Sequence, residues 1–479
     1  MKIAVIGAGP AGLTAAYQLS KEIGKTVTQL DVYESSNAVG GMCKSISLWN
    51  QTVDLGPHRF FSKDKRINEL WLELAADEYE IVNRTTRIFY NQHFFYYPIR
   101  IFNALKGLGL LEAFRCLFSY LKQKIAPVKD CSTFEGWVTR RFGKRLFTIF
   151  FKTYSEKLWG ISCTELDSDF ASQRIKRLSL IEAIRNALQT KKKEQHATLV
   201  EQFAYPIGGT GSVYEKMQGQ IIKNGGNIHL QTGVKRVIAE NKIVVALELE
   251  DGSKRKYDQI ISSMPLPHLI ESLDSVPENI KKNSGKLRFR NNILVYLKVN
   301  NPSLFKNQWL YIHDKEVETG RITNFRNWIP QLYGTEKSSI LCMEYWCNFE
   351  DELWNADVES LKNRASQEIV KIGLVKKDEI MDASVYRIPN CYPVYFKNYR
   401  EKLEPIQQFL KEINCLHIIG RYGAYKYNNQ DHSILMGMLS AENILLNMNH
   451  NLWEINTDYE TYQESATISK TGLSVDVNK

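Results

Sequence analysis

Lys2-Ile3-Ala4-Val5-Ile6-Gly7-Ala8-Gly9-Pro10-Ala11-Gly12-Leu13-Thr14-Ala15-Ala16-Tyr17-Gln18-Leu19 decides how the rest of the chain is read. Ile3 to Ile6 is a short apolar run with β-branched members, the pattern of a strand buried on both faces. It meets a glycine-rich turn that runs straight into good helix formers. Gly7 permits the tight turn. Gly9 lacks the Cβ that would hold a pyrophosphate away from the backbone, and Gly12 lets the helix lie against the strand. The bare amides at the helix start, with the helix dipole, attract an anion. A second strand, Val27 to Glu34, ends in an acid 22 residues beyond Gly12. That is close to the spacing at which a carboxylate accepts hydrogen bonds from a ribose hydroxyl. Gly7, Gly9, Pro10, Ala11, Gly12 and Glu34 are therefore the candidate dinucleotide cradle.

Glu34-Ser35-Ser36-Asn37-Ala38-Val39-Gly40-Gly41 continues from that acid into a second glycine pair. An acid, five residues and two glycines resembles the flavin branch of the Rossmann group, in which this segment lies beside FAD. The resemblance implies FAD rather than NAD, with Gly40 and Gly41 among its contacts.

At 479 residues the chain is too long for one ordinary core. The expected fold is α/β: a Rossmann-type FAD-binding domain with an inserted, mixed helical and antiparallel-sheet substrate domain. The FAD-binding part is expected at 1–62, 200–268 and 405–450. The substrate domain takes 63–199, mainly helical, and 269–404, mainly sheet. A C-terminal helix and frayed tail are expected over 451–479.

Lys and Arg outnumber Asp and Glu by 62 to 53. That surplus suits an anionic ligand or surface as well as a plain basic exterior, and no nucleic-acid motif accompanies it. Eight scattered cysteines form no CxxC and no Cys/His set of zinc spacing, so no metal is expected and free thiols in a reducing cytoplasm are. No signal peptide is expected, since Lys2 leads directly into the first strand. The apolar stretch 101–125 is interrupted by Lys106, Arg115, Lys122 and Lys124. It reads as a helical layer of the substrate domain or as a peripheral membrane contact. The oligomeric state is open, a homodimer included.

Further along, residues 66–75 read as a helix with Leu70, Trp71 and Leu74 on one face. Thr86 to Pro98 reads as an aromatic hairpin turning at Asn91-Gln92, followed by helices to about residue 195. Strands flank Asp251-Gly252, a hairpin signal, and Gln259 to Pro265 is another buried strand. Ile293–Leu297, Trp309–Ile312 and Ile340–Tyr345 are strands, 356–372 a helix, and Cys415–Gly420 a last strand before a helix from Ser433.

Tyr154-Ser155-Glu156-Lys157-Leu158-Trp159-Gly160 ends a charged helix with Trp and Gly, which is not core filler. With Gly56-Pro57-His58, Glu165-Leu166, Ile175-Lys176-Arg177, Gly320-Arg321-Ile322, Tyr392-Pro393-Val394 and the closing Gly420-Arg421…Tyr425…Tyr427…Asn429…Asp431, this block resembles the UDP-galactopyranose mutase family, within the amine-oxidase and protoporphyrinogen-oxidase superfamily. In that family the reaction is a redox-neutral ring contraction of a nucleotide sugar for surface polysaccharide. Reduced flavin attacks the anomeric carbon through N5 and displaces the diphosphate. A departing diphosphate needs fixed cations and hydroxyl donors, and arginine's rigid fork suits it better than lysine.

The resemblance implies that Arg321 and Arg421 clamp the diphosphate and that Tyr392 and Tyr427 donate hydroxyl bonds to it. Trp159 would pack by the sugar or uracil pocket, and His58 would sit near the flavin. Val234, Gly420 and Asn429 join the cofactor contacts. Each has a plainer reading. Arg421 could cap a helix or pair with Asp431, and Arg321 could be a hairpin surface charge. Trp159 could be core packing, and His58 a structural histidine. The sequence departs from the family at Phe61, where a second histidine is usual, and at Asn429, where an acid is. Arg174 and Arg177 compete for one role, and Tyr205 to Gly209 resembles the amine-oxidase pattern better. Two other functions therefore stand beside the mutase: a flavin oxidoreductase of the protoporphyrinogen- or amine-oxidase kind, and a FAD-binding protein without turnover.

Overall fold

The computed structural model describes residues 1–97, 107–174, 202–455, 466–470 and 472–475. A five-stranded sheet runs in the order Leu416–Ile418, Gln259–Ser262, Lys2–Ile6, Gln29–Tyr33, Asn227–His229, with every neighbour parallel. Ile3 and Val5 enter one apolar core with the helices Pro10–Ser20, Gly211–Lys223 and Gln430–Leu445. Ala4 and Ile6 enter another. Alternate residues of a strand point to opposite faces, so a strand covered on both sides reads as an unbroken apolar run. The second core takes Val237, Val244, Leu247 and Leu249 from the antiparallel strands Val234–Glu240 and Ile243–Leu249. The chain then turns at Gly252, in the left-handed region at φ 83°, into Lys254–Lys256.

A seven-stranded sheet forms the other half. Its order is Ile380–Pro393, Phe289–Val299, Ser339–Cys347, Arg321–Asn324, Trp309–Ile312, Thr86–Tyr90, His93–Tyr96. Neighbours are antiparallel except Trp309–Ile312 beside Thr86–Tyr90. The aromatic hairpin turns where the sequence suggested, with Asn91 and Gln92 at φ 49° and 62°. It completes the edge of this sheet. The central strand Ser339–Cys347 is buried throughout. Leu341, Met343, Tyr345 and Cys347 pack with the helix Val358–Lys371 through Leu361, Ala365 and Ile369. The other parity, Cys342, Glu344 and Trp346, turns the opposite way, toward the side shared with the parallel sheet.

Some expectations need correction. Ile380–Pro393 is a full edge strand of 14 residues that the sequence reading did not anticipate, because half-buried positions dominate it. Tyr79–Asn83 and Gln202–Pro206 form a further antiparallel pair. In place of the expected C-terminal helix, the described residues hold only a single turn at Leu452–Glu454, which Asn451 caps, and then a hairpin. That hairpin joins Ala466–Ser469 to Gly472–Val475, and Gly472 at φ 101° turns the chain back. Tyr79 Oη donates to Ser469 O at 3.0 Å, tying it down. In the stretch 101–125, Leu110–Ile125 is a helix, and 101–106 lie outside the described residues. Ile175-Lys176-Arg177 and the segment to 195 lie outside them too. No helix among the described residues is long and apolar enough to cross a membrane.

Candidate active site

The opening turn has the geometry its glycines suggested. Gly7 adopts φ 93°, and a side chain there would strike Ser263 Oγ at 2.3 Å. A Cβ at Gly12 would lie 1.9 Å from Gly7 O, so only glycine lets the helix start there. Gly9 differs: a Cβ there would meet nothing nearer than Gly41 Cα at 4.0 Å. Its open side therefore leaves room for a ligand rather than packing. The helix Pro10–Ser20 has no side-chain cap and no acid in its first turn, so its amides are left for an anion.

The second glycine pair leans on the first. Gly40 N donates to Ala8 O at 2.8 Å, and Gly41, at φ 53°, sits over Gly9. Glu34 accepts from Ala8 N and Ser36 N, each at 2.8 Å, which fixes its carboxylate and leaves lone pairs for a ribose. Thr232 N donates to Glu34 O, bringing Gly233-Val234 alongside. Gly420, at φ 80°, closes the ring: a Cβ there would come within 3.3 Å of Ala11 and 3.4 Å of Ser263. Asn429 is exposed at the N-cap of Gln430–Leu445 and makes no capping bond. These groups gather at the carboxyl ends of the parallel strands, where open α/β sheets bind ligands. Glycine clearance, bare amides and a fixed acid fit a flavin dinucleotide.

The second group of predicted residues meets beside this cradle. Arg321 stands directly across the strand pair from Glu344, on the face toward the parallel sheet. Its Nε donates to Glu344 Oε1 and its Nη2 to Oε2 at 2.6 Å, a bidentate fork. Glu344 is 0% exposed and also accepts from Asn292 Nδ2 at 3.3 Å. The expected clamp is thus half-occupied by the protein's own carboxylate. Sequence reasoning missed Glu344, yet a signal existed: it is the lone acid in the apolar run Ile340 to Tyr345.

Arg421 follows Gly420 and donates through Nη2 to Asn428 O. It does not pair with Asp431, which lies 2.9 Å from His432 Nδ1 instead. Its guanidinium stands 5.5 Å from the ring centre of Tyr392 and 5.6 Å from that of Tyr427. Trp159 is 1% exposed and meets Tyr427 edge-on at 5.1 Å and Phe170 at 4.7 Å. Tyr154 stacks on His313 with ring centres 5.1 Å apart and meets Trp346 edge-on at 5.6 Å. Burial pushes the Tyr154 and Tyr392 hydroxyls well above the ordinary tyrosine range. His58 lies among them. Burial, then the charges of Arg421 and Arg321, push its imidazole down to about 3, so it is neutral.

Three supports had no role assigned to them from the sequence. Asp54, 0% exposed, accepts from Ser45 Oγ, Tyr205 Oη, Thr210 N and Thr210 Oγ1 at 2.6–3.1 Å, pinning three segments under the site. Arg290 donates to Leu158 O, Lys157 O and Trp346 O, satisfying the end of the helix Thr153–Trp159. Gly160, at φ 65°, makes that possible, because a Cβ would sit 2.3 Å from Arg290 Nη1. Lys157 Nζ donates to the carbonyls of Ile312, Asp314 and Thr319, gripping the loop that leads into Arg321. Arg174 ends the helix Ser168–Arg174, and Arg177 lies outside the described residues.

Fold and cradle together define a dinucleotide-binding flavoprotein with a cationic, aromatic site beside the cofactor. The chain belongs to the flavin containing amine oxidoreductase family, whose sequence profile matches residues 10–445, and its cofactor is FAD. Among solved structures it is similar to reduced UDP-galactopyranose mutase, with a TM-score of 0.84, 22% identity and coverage of 95% of this chain and 96% of that one. At that identity the likeness is one of fold. Among curated sequences it is 21% identical over 287 residues to coproporphyrinogen III oxidase of Staphylococcus aureus, covering 55% of this chain and 60% of the relative. It is 24% identical over 301 residues to 4,4'-diapophytoene desaturase of the same organism, covering 57% of each. The match thus spans less than two thirds of the length of either curated relative.

Proposed function

We propose that this flavoenzyme is a nucleotide-sugar mutase, interconverting pyranose and furanose rings of a sugar carried on a nucleoside diphosphate. The observation that carries the reading is the meeting of two guanidiniums with three tyrosines and a neutral histidine beside the cofactor cradle. A site for a carotenoid or another apolar substrate has no use for two half-buried arginines. A diphosphate has use for both.

In this reading Arg421, which has no carboxylate partner among the described residues, binds the diphosphate. Arg321 adds its free edge while Glu344 holds its plane. Because Glu344 offsets one of the two charges, the site attracts the anion without trapping it. Tyr392 and Tyr427 donate hydroxyl bonds as charge builds on the leaving group. Trp159 and Tyr154 wall the sugar and base. His58 presents an uncharged imidazole that orients a hydroxyl without adding a third cation. FAD, when bound and reduced, supplies the nucleophile for the anomeric carbon, with no net consumption of electrons. The substrate lies between the unit formed by 1–62, 200–268 and 405–450 and the unit formed by 63–199 and 269–404.

The test incubates dithionite-reduced protein with a panel of UDP- and dTDP-hexoses and separates products by anion-exchange chromatography, with the flavin spectrum followed in parallel. A furanose isomer formed without reoxidation of the flavin is the expected result. The oxidase and desaturase relatives favour a second reading, oxidation of a tetrapyrrole or polyene. Substrate-driven bleaching of oxidised flavin by such a compound, with no nucleotide-sugar binding, would replace the mutase by that reading.

A further inference from the structure

The helix Leu110–Ile125 turns an apolar face outward. Leu110, Leu111, Phe114, Leu117, Phe118, Leu121 and Ile125 are all exposed, Phe118 at 74% and Ile125 at 86%. They recur at the spacing of one helical face. The opposite face is already used: Cys116 packs in a small core with Phe95, Ile149 and Phe150, and Tyr120 is buried beside Gly143. A helix apolar on both sides needs a cover on the second side.

Charge decides what kind of cover. Between residues 107 and 152 stand nine Lys and Arg against three Asp and Glu, a surplus of six in a chain whose whole surplus is nine. Glu112, the only acid of this helix, is held by Arg145 and Arg115. A groove of about 850 Å³ runs along the face, and Leu111, Phe114 and Phe118 line it together with Arg115, Lys122, Lys144 and Arg145. Apolar floor and cationic rim match acyl chains below anionic headgroups. A second copy of the chain would bring like charge against like charge.

We propose that this face is the seat of an anionic lipid surface, on which the protein lies peripherally with Leu110–Ile125 in the interface plane. The proposal does not rest on the mutase reading. It places the bilayer on the side of Thr148, which lines the same groove and opens the stretch Thr148–Lys152 leading into the helix that carries Tyr154 and Trp159.

The test is cosedimentation of the full-length, FAD-loaded protein with vesicles of phosphatidylcholine, with and without phosphatidylglycerol. Two double variants accompany it, Phe114→Ser with Phe118→Ser, and Lys122→Glu with Lys124→Glu. Flavin absorbance reports that each is folded. Binding to phosphatidylglycerol vesicles, weakened by salt and on the order of tenfold or more weaker in either variant, is expected. No binding to anionic vesicles overturns the proposal, as does binding indifferent to both variants. Concentration-dependent dimerisation that the Phe variants abolish, without vesicle binding, assigns the face to a second copy and also overturns it.

Discussion

Glu344 and Arg321 offer the sharpest test of how the site is built. Consider Glu344→Met, Arg321→Met and the double variant. Glu344 is fully buried and Arg321 keeps 18% of its side chain exposed, so either single change strands a largely buried charge. Removing one partner of a buried pair costs about 3–5 kcal/mol, and the residual exposure of Arg321 puts the Glu344 variant near the lower end, about 3 kcal/mol. With an unfolding entropy of about 2.1 cal/mol/K per residue, a chain of 479 residues loses about 3 °C of Tm for that amount if it unfolds as one unit. Replacing both partners with apolar side chains is close to neutral, so the double variant regains most of the loss and lies about 6 kcal/mol above the sum of the two single losses. The assay is thermal unfolding followed by released-flavin fluorescence, with UDP titrated into each variant by calorimetry. Freed of its carboxylate, Arg321 in the Glu344→Met protein binds UDP about tenfold more tightly. Strictly additive Tm losses, with unchanged UDP affinity, would refute the forked pair as the organiser of this wall.

Other outcomes follow from the same geometry. Gly9→Val fills the open side of the turn, and the protein purifies colourless; a normal flavin-to-protein absorbance ratio would contradict the cradle. Arg421→Ala keeps its yellow colour but loses UDP-sugar affinity by about a hundredfold, two charge-assisted bonds at roughly 1.5 kcal/mol each, as read by flavin fluorescence titration. Burial pushes the Asp54 carboxyl up to about 6. The folded chain then holds that proton more tightly than the unfolded one. Its contribution is full below about pH 4 and is lost as pH rises through about 6, by about 3 kcal/mol. Denaturant titrations at pH 4.5 and 7 compared between wild type and Asp54→Asn expose that slope as their difference, and parallel pH profiles would exclude it.

Local constraints were legible in the sequence. The strand, turn and helix of the opening motif follow one another within 20 residues, so Gly7, Gly9 and Gly12 could be assigned separate duties before any fold was known. The same holds for Asn91-Gln92 and Asp251-Gly252, whose turns are chosen by two residues. Register across a sheet is different. That Arg321 faces Glu344 depends on how two strands slide past each other, and a slip of one residue would put the two on opposite faces. Arg290 was invisible for a related reason: it serves a helix end 132 residues earlier, and only Gly160 hinted that something large had to pass. The edge strand Ile380–Pro393 escaped because its half-buried positions blur the period of two.

The triple grip of Lys157 on the carbonyls of Ile312, Asp314 and Thr319 carries a mechanical consequence. It leashes the helix bearing Tyr154 and Trp159 to the loop that delivers Arg321, so these two walls travel as one plate. Whatever yields to admit a bulky guest must then be the opposite jaw, the short Gly420–Gly423 turn and the arginine it carries.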